Sequence, residues 1–199
     1  MRINKKTMLL IPAMLVSTCA FSQMSSELYD PYCYGAKGDG YTNDTEAIQS
    51  AIDSCHLAGG GKVFLHNGRF LTGTVYMKSN VTLYVEAGTV LLGSTNLDDY
   101  PVIASKYPSY KGNFVTNKML IYAEDATNIT ICGRGIINGR GDTWVGGPYG
   151  SPSFSVRPRI VHFRGCDNVI IRDVTLQNSA SWVQSYQSCR NLVYPLFGR

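Results

Sequence analysis

An amphipathic helix is predicted near the beginning of the chain. Between residues 43 and 56 the hydrophobic positions recur every three or four residues and therefore share one helical face. Asn43 can cap the first turn, and Glu46 follows it three residues later, as in a capping box. The glycines of GGGK, residues 59–62, end the pattern. We expect a helix over residues 44–57 whose apolar face consists of Ala47, Ile48, Ala51, Ile52 and Cys55.

Beyond residue 60 the pattern changes to short runs in which hydrophobic and polar positions alternate. KVFLHNG, NVTLYVEAG and NVIIRDVTLQNS are three examples, each rich in β-branched or aromatic residues and bounded by Gly, Asn or Asp. This pattern is typical of strands joined by tight turns. No second convincing helical pattern follows, so we expect the rest of the chain to consist of strands and turns.

An asparagine followed by aliphatic residues opens several of these runs. It occurs at Asn80, Asn128, Asn168 and Asn191, at intervals of 48, 40 and 23 residues, so that two intervals are about twice the third. Hairpins have no reason to keep a common period, whereas a solenoid stacks equivalent residues above one another once per coil. The asparagines therefore indicate a repeating coil.

The repeat is clearest near the end of the sequence. CDNV at residues 166–169 returns as CRNL at residues 189–192, and residues 160–163 align with residues 182–185, which gives a step of 22 or 23 residues. Asn138 and Asn178 also share a phase, since each follows its leading asparagine by ten residues. We expect these two side chains to belong to a stacked polar turn.

These features predict an all-β protein, a right-handed parallel β-helix in which each coil contributes two or three short strands. The helix at 44–57 is expected to cap the first coil, because that coil would otherwise expose apolar residues and unpaired strand edges. An immunoglobulin-like or jelly-roll sandwich is the alternative, since those folds also alternate strands with turns.

Residues 1–22 have the layout of a secretory signal peptide, with three basic residues before an apolar run that is too short to span a bilayer. Ala20 and Ser22 suit the −3 and −1 positions of a cleavage site, so cleavage is expected before Gln23. The mature protein is then expected to be secreted or periplasmic. Lipidation of Cys19 is the alternative.

The composition narrows the choice of partners. Of the 199 residues, 44% are hydrophobic and 16% are charged, which favours a folded protein with a core. Removal of the signal peptide leaves basic and acidic residues nearly balanced. No basic cluster remains, so neither a nucleic-acid partner nor an anionic membrane is predicted for the mature chain.

The cysteines give no sign of a metal site. No CxxC pair occurs, so zinc is not expected, and no cofactor site is indicated. If Cys166 and Cys189 lie on successive coils, their chains are about 4.8 Å apart. That spacing permits either a disulfide or two stacked thiols.

Several motifs together resemble those of one enzyme family. YGAKGDGYTNDTEAIQSAIDSC and then GGGKVFLHNGRFLTGTVYMKSNVTLYVEAGTVLLGS are similar to the opening of glycoside hydrolase family 28, the polygalacturonases. The resemblance continues, in the order that the family has them, with DDYP, GRGIINGRGDTW, RPRIVHFRGCDNVIIRDVTLQNSASW and QSCRNL. It covers about residues 29–193.

The resemblance implies inverting hydrolysis of α-1,4-linked galacturonan or of rhamnogalacturonan, in which one carboxylic acid protonates the leaving oxygen and opposite carboxylates activate water. The family carries this chemistry on Asn-x-Asp, Asp-Asp, Gly-His-Gly and Arg-x-Lys segments of later coils, and the sequence ends before them. We therefore expect residues 23–199 to be the N-terminal part of a β-helix glycosidase domain, inactive alone. From Tyr194 to residue 199 the tail departs from the repeat, as a truncated or frameshifted reading frame would.

Few residues could substitute for the missing segments. Asp98 and Asp99 form a carboxylate pair, but they fall in the family's early joining segment, where a solvated turn is expected. None of His56, His66 and His162 is flanked by glycine, and His162 lies in a predicted strand. The sequence therefore assigns no catalytic residue.

Four residues are candidates for contact with a sugar. Arg134 and Arg140 can each form bidentate bonds with a uronate carboxylate, although exposed turn arginines are the ordinary alternative. Trp144 and Tyr149, in the loop GDTWVGGPYGSP, can stack on a sugar ring, although Trp144 is expected to anchor the loop. No binding residue is assigned.

The predicted function is that of a secreted, polygalacturonase-like glycosidase whose partner is a pectic polysaccharide. A polysaccharide lyase on the same scaffold is one alternative; it would need an acidic calcium site and a base for the C5 proton. A non-catalytic, pectin-binding β-helix is another.

Overall fold

The computed structural model describes residues 28–107, 117–144 and 156–194. The predicted signal peptide with Cys19, the sugar-binding candidate Tyr149 and residues 195–199 of the tail lie outside the described residues.

Within the described residues, short strands form three parallel sheets, and the strands are numbered here in chain order. Sheet one contains, in spatial order, β1 (Leu28–Tyr29), β3 (Gly61–Leu65), β6 (Val81–Val85), β9 (Thr127–Cys132), β12 (Asp167–Ile171) and β15 (Arg190–Val193). Sheet two contains β2 (Asp39–Asn43), β4 (Arg69–Thr72), β7 (Val90–Gly93), β10 (Ile136–Asn138) and β13 (Thr175–Gln177). Sheet three contains β5 (Val75–Tyr76), β8 (Met119–Glu124), β11 (Arg159–Arg164) and β14 (Gln184–Gln187).

In the first coil a helix follows the strand of sheet two. In the later coils the chain visits the sheets in rotation, from sheet one to sheet two to sheet three and back to sheet one. Every strand pairing in the described part of the chain is parallel and joins successive coils. The predicted parallel β-helix is therefore confirmed. The sandwich alternative is wrong, because it requires antiparallel pairing.

The register refines the predicted repeat. His162 pairs with Ser185, and Asp167 pairs with Arg190, which is a step of 23 residues in both sheets. The 22-residue alignment of residues 160–163 with 182–185 is therefore wrong by one position. The doubled intervals earlier in the chain arise because long segments, residues 94–118 and 139–158, are inserted between sheet two and sheet three.

The asparagines predicted to stack form a ladder beside sheet one. Asn128 Nδ2 donates to Asn80 Oδ1 and Asn168 Nδ2 donates to Asn128 Oδ1, both at 2.8 Å. Asn191 donates instead to Asp167 Oδ1 at 2.8 Å. All four asparagines have a positive φ, between 52° and 65°, a conformation that asparagine tolerates better than most residues. The repeated asparagine therefore marks the corner where each coil enters sheet one.

Asn138 and Asn178 do not stack directly as expected. Asn138 pairs with Gln177 across β10 and β13, so Asn178 lies one residue beyond that pair. Asn178 instead accepts hydrogen bonds from the helical turn α2 (Gly141–Trp144), at 2.6 Å from Gly141 N and 3.1 Å from Asp142 N.

The helix α1 (Thr45–Leu57) covers the first coils, as predicted, with the expected five residues buried. Its N-cap position is Asp44, one residue after the predicted Asn43. Asp44 accepts from the backbone N–H groups of Lys37 and Gly38, at 2.7 and 3.0 Å. Asn43 Oδ1 accepts from Thr45 N at 3.0 Å. The Asp44 side chain therefore ties down the preceding loop and makes no capping bond to the helix, so the capping box is not formed as predicted.

The core consists of columns of side chains that repeat from coil to coil. Burial of each large aliphatic side chain contributes about 1.5–3 kcal/mol, and stacking places like side chains in contact. Val63, Leu83, Ile131 and Ile171 form one column from sheet one, and Phe70, Leu91, Ile137 and Leu176 form another from sheet two.

Candidate functional site

The outer face of sheet three carries a row of polar side chains that is buried at its centre and partly buried at its ends. Tyr76, Tyr122, His162 and Ser185 occupy one register position on successive coils. Side chains of a strand alternate between faces, and these point away from the aliphatic core. Ile103, from the inserted segment, packs with Tyr122 and Tyr76 over this face. The insertion thus removes polar side chains from water that the strand pattern alone would leave exposed.

Arg159 and His162 form the centre of this row. Arg159 Nη1 lies 3.1 Å from His162 Nδ1 and donates to Ser185 Oγ at 2.9 Å. A guanidinium can only donate, so Nδ1 must accept and the imidazole proton resides on Nε2. Burial, reinforced by the charges of Arg159 and Arg164, lowers the pKa of His162 to about 3. His162 is therefore neutral at physiological pH.

A second group of polar residues continues the row toward the end of the strands. The Arg164 guanidinium lies 5.9 Å from the centre of the Tyr122 ring and donates to Asn117 Oδ1 at 3.3 Å. The hydroxyl group of Tyr122 donates a hydrogen bond to the Glu124 carboxylate. Burial, and then this bond to Glu124, raises the pKa of Tyr122 to about 12. The tyrosine therefore remains protonated.

The buried arginines are not matched by carboxylates. Arg159 and Arg164 are 5% and 2% exposed, and neither forms an ion pair with any residue of the described segments. Arg159 Nε, Arg164 Nε and His162 Nε2 are buried and have no hydrogen-bond partner in the part of the chain that the structure describes. Arg159 also lies 5.2 Å from the ring of Trp182, which is 55% exposed. Within the described residues, sheet three thus combines an exposed aromatic ring with two buried arginines that form no ion pair. Glu124 is the register partner of Arg164 on the neighbouring strand.

A second feature is an open cleft on sheet two, with a volume of about 410 Å³. It is lined by Asp39, Gly40, Tyr41, Arg69, Leu92, Asn138, Arg140, Asp142, Thr143 and Asn178. These residues come from five successive coils. Of these residues only Arg140 is a ligand candidate from the sequence, because the other residues meet only when the coils stack.

The carboxylate pair occupies a short 3-10 turn, Leu97–Asp99, between β7 and β8. Asn96 Oδ1 accepts from Asp98 N at 3.2 Å, and Asp99 accepts a hydrogen bond from the Ser94 hydroxyl. A Cβ added to Gly73 would lie 2.1 Å from Asp99 O, so this turn packs closely on the preceding coil. The pair is held in the joining segment where the sequence located it.

The remaining candidates are separated. His56 Nδ1 lies 3.0 Å from Ser79 O, and His66 Nε2 lies 3.0 Å from Asp30 Oδ2. Arg134 is an exposed turn residue outside the cleft.

Trp144 anchors its turn, as expected. It is 3% exposed, and its ring lies edge-on to that of Tyr100, with 6.4 Å between the ring centres. A buried ring cannot stack on a sugar, so Trp144 is not part of an accessible binding surface.

Cys166 and Cys189 are free thiols on successive coils, so the stacked-thiol alternative describes this structure. Their sulfurs interact with each other. The hydrogen bond from Cys166 lowers the pKa of Cys189, while the same bond and then burial raise the pKa of Cys166.

No group of three or more His, Cys, Asp or Glu side chains suited to a metal ion occurs in the described ranges. Nor does any helix within them have the length and apolar character needed to cross a bilayer.

Comparisons with known proteins agree with this architecture. The profile of the family described as rhamnogalacturonase A/epimerase, pectate lyase-like matches residues 33–188. A probable polygalacturonase from Vitis vinifera is 29% identical over 184 residues, which is 87% of this chain and 36% of that protein. An exo-poly-α-D-galacturonosidase from Dickeya chrysanthemi is 44% identical over 116 residues, or 54% of this chain and 19% of that protein.

Solved structures give the same picture of the fold. A hyperthermoactive exopolygalacturonase from Thermotoga maritima superimposes with a TM-score of 0.68 at 24% identity, over 85% of this chain and 46% of that one. The family 28 exopolygalacturonase of Yersinia enterocolitica has a TM-score of 0.63 at 25% identity, over 84% and 39%. The chain therefore spans less than half the length of these proteins.

Proposed function

The chain belongs to the rhamnogalacturonase A/epimerase, pectate lyase-like family, and we propose that it is part of a pectin-degrading glycosidase of the polygalacturonase type. In this proposal the described coils supply the scaffold and a binding surface for an acidic polysaccharide. The hydrolytic residues of the whole protein would come from elsewhere.

The observation that carries the proposal is the charge of sheet three. Arg159 and Arg164 lie beneath its outer surface without a carboxylate partner among the described residues. Charges surrounded by protein are weakly screened and attract an oppositely charged ligand strongly. Trp182 adds an exposed ring beside Arg159, and aromatic rings give sugars an apolar surface to rest on. A polymer of uronate residues suits both features.

The described strands of sheet three have too few carboxylates for the chain alone to hydrolyse its ligand. Inverting hydrolysis needs a general acid and a separate general base on opposite sides of the sugar. Glu124 is the one carboxylate in the described strands of sheet three, and Tyr122 donates a hydrogen bond to it. One carboxylate cannot fill both roles. We therefore propose that the chain binds galacturonan without cleaving it.

A binding and turnover experiment tests both parts. The full chain is mixed with polygalacturonate and, as a control, with a neutral α-glucan. We expect binding to polygalacturonate that weakens as salt rises, and no release of reducing ends. Equal binding to the neutral polymer would contradict the proposed ligand. Release of reducing ends that is abolished by Asp98→Asn or Asp99→Asn would contradict the proposed inactivity.

A lyase is the second candidate. Alginate lyase 7 of Azotobacter vinelandii is 41% identical over 66 residues, which cover 33% of this chain and 8% of that protein. A lyase removes the C5 proton and leaves an unsaturated sugar, so ultraviolet absorbance of the products separates the two chemistries. The polygalacturonase proposal expects no such absorbance with galacturonan.

We also propose that the protein is exported, with cleavage before Gln23. The basic residues and apolar run of residues 1–22 support this location. N-terminal sequencing of the protein from the extracellular or periplasmic fraction tests it, and a lipidated Cys19 at the mature N-terminus would contradict it.

A further inference from the structure

We propose that the cleft on sheet two is a second saccharide site, and that it binds a uronate residue through Arg69 and Arg140 with Tyr41 as a stacking surface. This site lies on a different sheet from the positively charged face described above. Its existence does not depend on the proposed function, although the choice of galacturonate as the probe rests on it.

The two arginines approach the cleft from different coils. Arg69 begins β4, and Arg140 follows β10 by two residues. These strands lie on either side of β7 in sheet two, and Arg69 is level with Ile136, four residues before Arg140. Leu92 of β7 lies between them in the lining. The cleft therefore has an apolar centre with an arginine toward each end, so a uronate can place its carboxylate at one arginine while a neighbouring residue of the polymer reaches the other.

Both guanidinium groups are free to bind a ligand. Within the described residues neither Arg69 nor Arg140 forms an ion pair. Each arginine is nevertheless held by a neighbouring residue. Asn138 Oδ1 accepts from Arg140 N at 2.8 Å, and the Arg69 side chain lies against Gly40, where an added Cβ would be 3.4 Å from Arg69 Nε. The Arg69 side chain and the Arg140 backbone are thus held by contacts within the protein.

The carboxylates of the cleft are already engaged. Asp39 accepts hydrogen bonds from Tyr41 N, Thr42 N and Thr42 Oγ1, each at 2.8 Å, and these bonds lower the pKa of Asp39. Asp142 Oδ1 accepts from Asn178 Nδ2 at 2.8 Å and from Thr143 N at 3.1 Å. Because both acids have protein partners, they leave the arginines available. Their remaining lone pairs can accept protons from sugar hydroxyls.

This balance of charge selects the ligand class. A densely anionic ligand would be repelled by Asp39 and Asp142, and a neutral sugar would make no charge-assisted pair with either arginine. A uronate residue has a single carboxylate for bidentate pairing with arginine and several hydroxyls for the acids. Tyr41, whose side chain is 88% exposed at the edge of the cleft, offers an aromatic face to the ring.

The test compares variants of the full chain by calorimetric titration with a short oligogalacturonate. We expect Arg69→Gln and Arg140→Gln each to weaken binding by about tenfold or more, because each removes a charge-assisted hydrogen bond. Tyr41→Ala is expected to weaken it less. Arg134→Gln is the matched control, since Arg134 is an exposed arginine outside the cleft, and it should bind as the wild type does. Thermal melting verifies that each variant is folded.

The ligand is varied in parallel. The methyl ester of the same oligosaccharide, which keeps the hydroxyls and loses the charge, should bind at least about tenfold more weakly. A sulfated oligosaccharide should not bind more tightly than the uronate.

Three outcomes would overturn the proposal: unchanged affinity in both arginine variants, equal affinity for acid and ester, or no binding by the wild-type chain. If both arginine variants bind normally while polygalacturonate binding remains salt-sensitive, the cleft proposal alone has failed and the proposed function stands.

Discussion

His162 makes the stability of the fold depend on pH in a way that can be isolated by one substitution. In the folded chain its pKa is about 3, because the ring is buried beside Arg159 and Arg164 and Tyr122 packs against it. In the unfolded chain its pKa returns to about 6.5. As the pH falls from about 7.5, the unfolded state binds a proton that the folded state does not, so the free energy of unfolding decreases.

The magnitude follows from the two pKa values. Each unit of pH below 6.5 costs about 1.36 kcal/mol until the folded pKa is approached. Between about pH 7.5 and pH 5 the loss from this residue alone is about 2 kcal/mol. The loss of unfolding free energy caused by His162 reaches its full size only near pH 3, where the histidine of the folded chain also begins to protonate.

The variant His162→Asn provides the comparison. The asparagine oxygen can replace Nδ1 as the acceptor for Arg159 Nη1, and the side chain does not titrate. Urea unfolding near pH 7.5 and near pH 5 gives the pH-dependent loss for each protein. We expect the wild type to lose about 2 kcal/mol more than the variant. Equal losses would show that His162 is not held neutral, and would refute the inferred desolvation of the row.

Two further predictions concern the stacking of coils. Gly133→Ala should cost about 3 kcal/mol or more, because the new Cβ would meet Val85 O at 2.1 Å in addition to the strain of a positive φ. Gly88→Ala also introduces a Cβ at a positive φ, but with nothing within 4 Å, so it should cost only about 1 kcal/mol. Equal losses in thermal melting would contradict the close packing. Cys166 and Cys189 are free thiols. Thiol titration of the unfolded protein should therefore give the same count with and without prior reduction. A count lower by two without reduction would reveal a disulfide.

The repeating part of the fold could be predicted from the sequence because its signals are local. The asparagines at positions 80, 128, 168 and 191 each satisfy a positive φ at the same corner, and a residue type imposed by backbone geometry repeats wherever that geometry does. The apolar face of α1 was likewise visible in its spacing. Register was less certain, since a one-residue error between 22 and 23 is small in a sequence alignment but moves a side chain to the other face.

The sites were less predictable because they depend on contacts between coils. Nothing local in RIVHFR indicates that Arg159 and Arg164 are buried. Arg164 contacts Asn117 of the inserted segment, and Arg159 contacts Ser185 of the next coil. Arg69 belongs to the cleft only because β4 lies two strands away from β10 in sheet two. Arg140 was a reasonable candidate, but its sequence neighbours could not distinguish it from Arg134.

The long insertions enter at one corner of the coil, between sheet two and sheet three, and they leave the asparagine ladder in register. Length and shape can therefore change at that corner while the scaffold remains the same. Both candidate binding surfaces include residues from this corner. One insertion contributes Ile103 above sheet three, and the other contributes Arg140 and Asp142 to the cleft on sheet two. Loops grafted at this corner should therefore change which ligand the surface recognises while the strand register and the core of the solenoid stay the same.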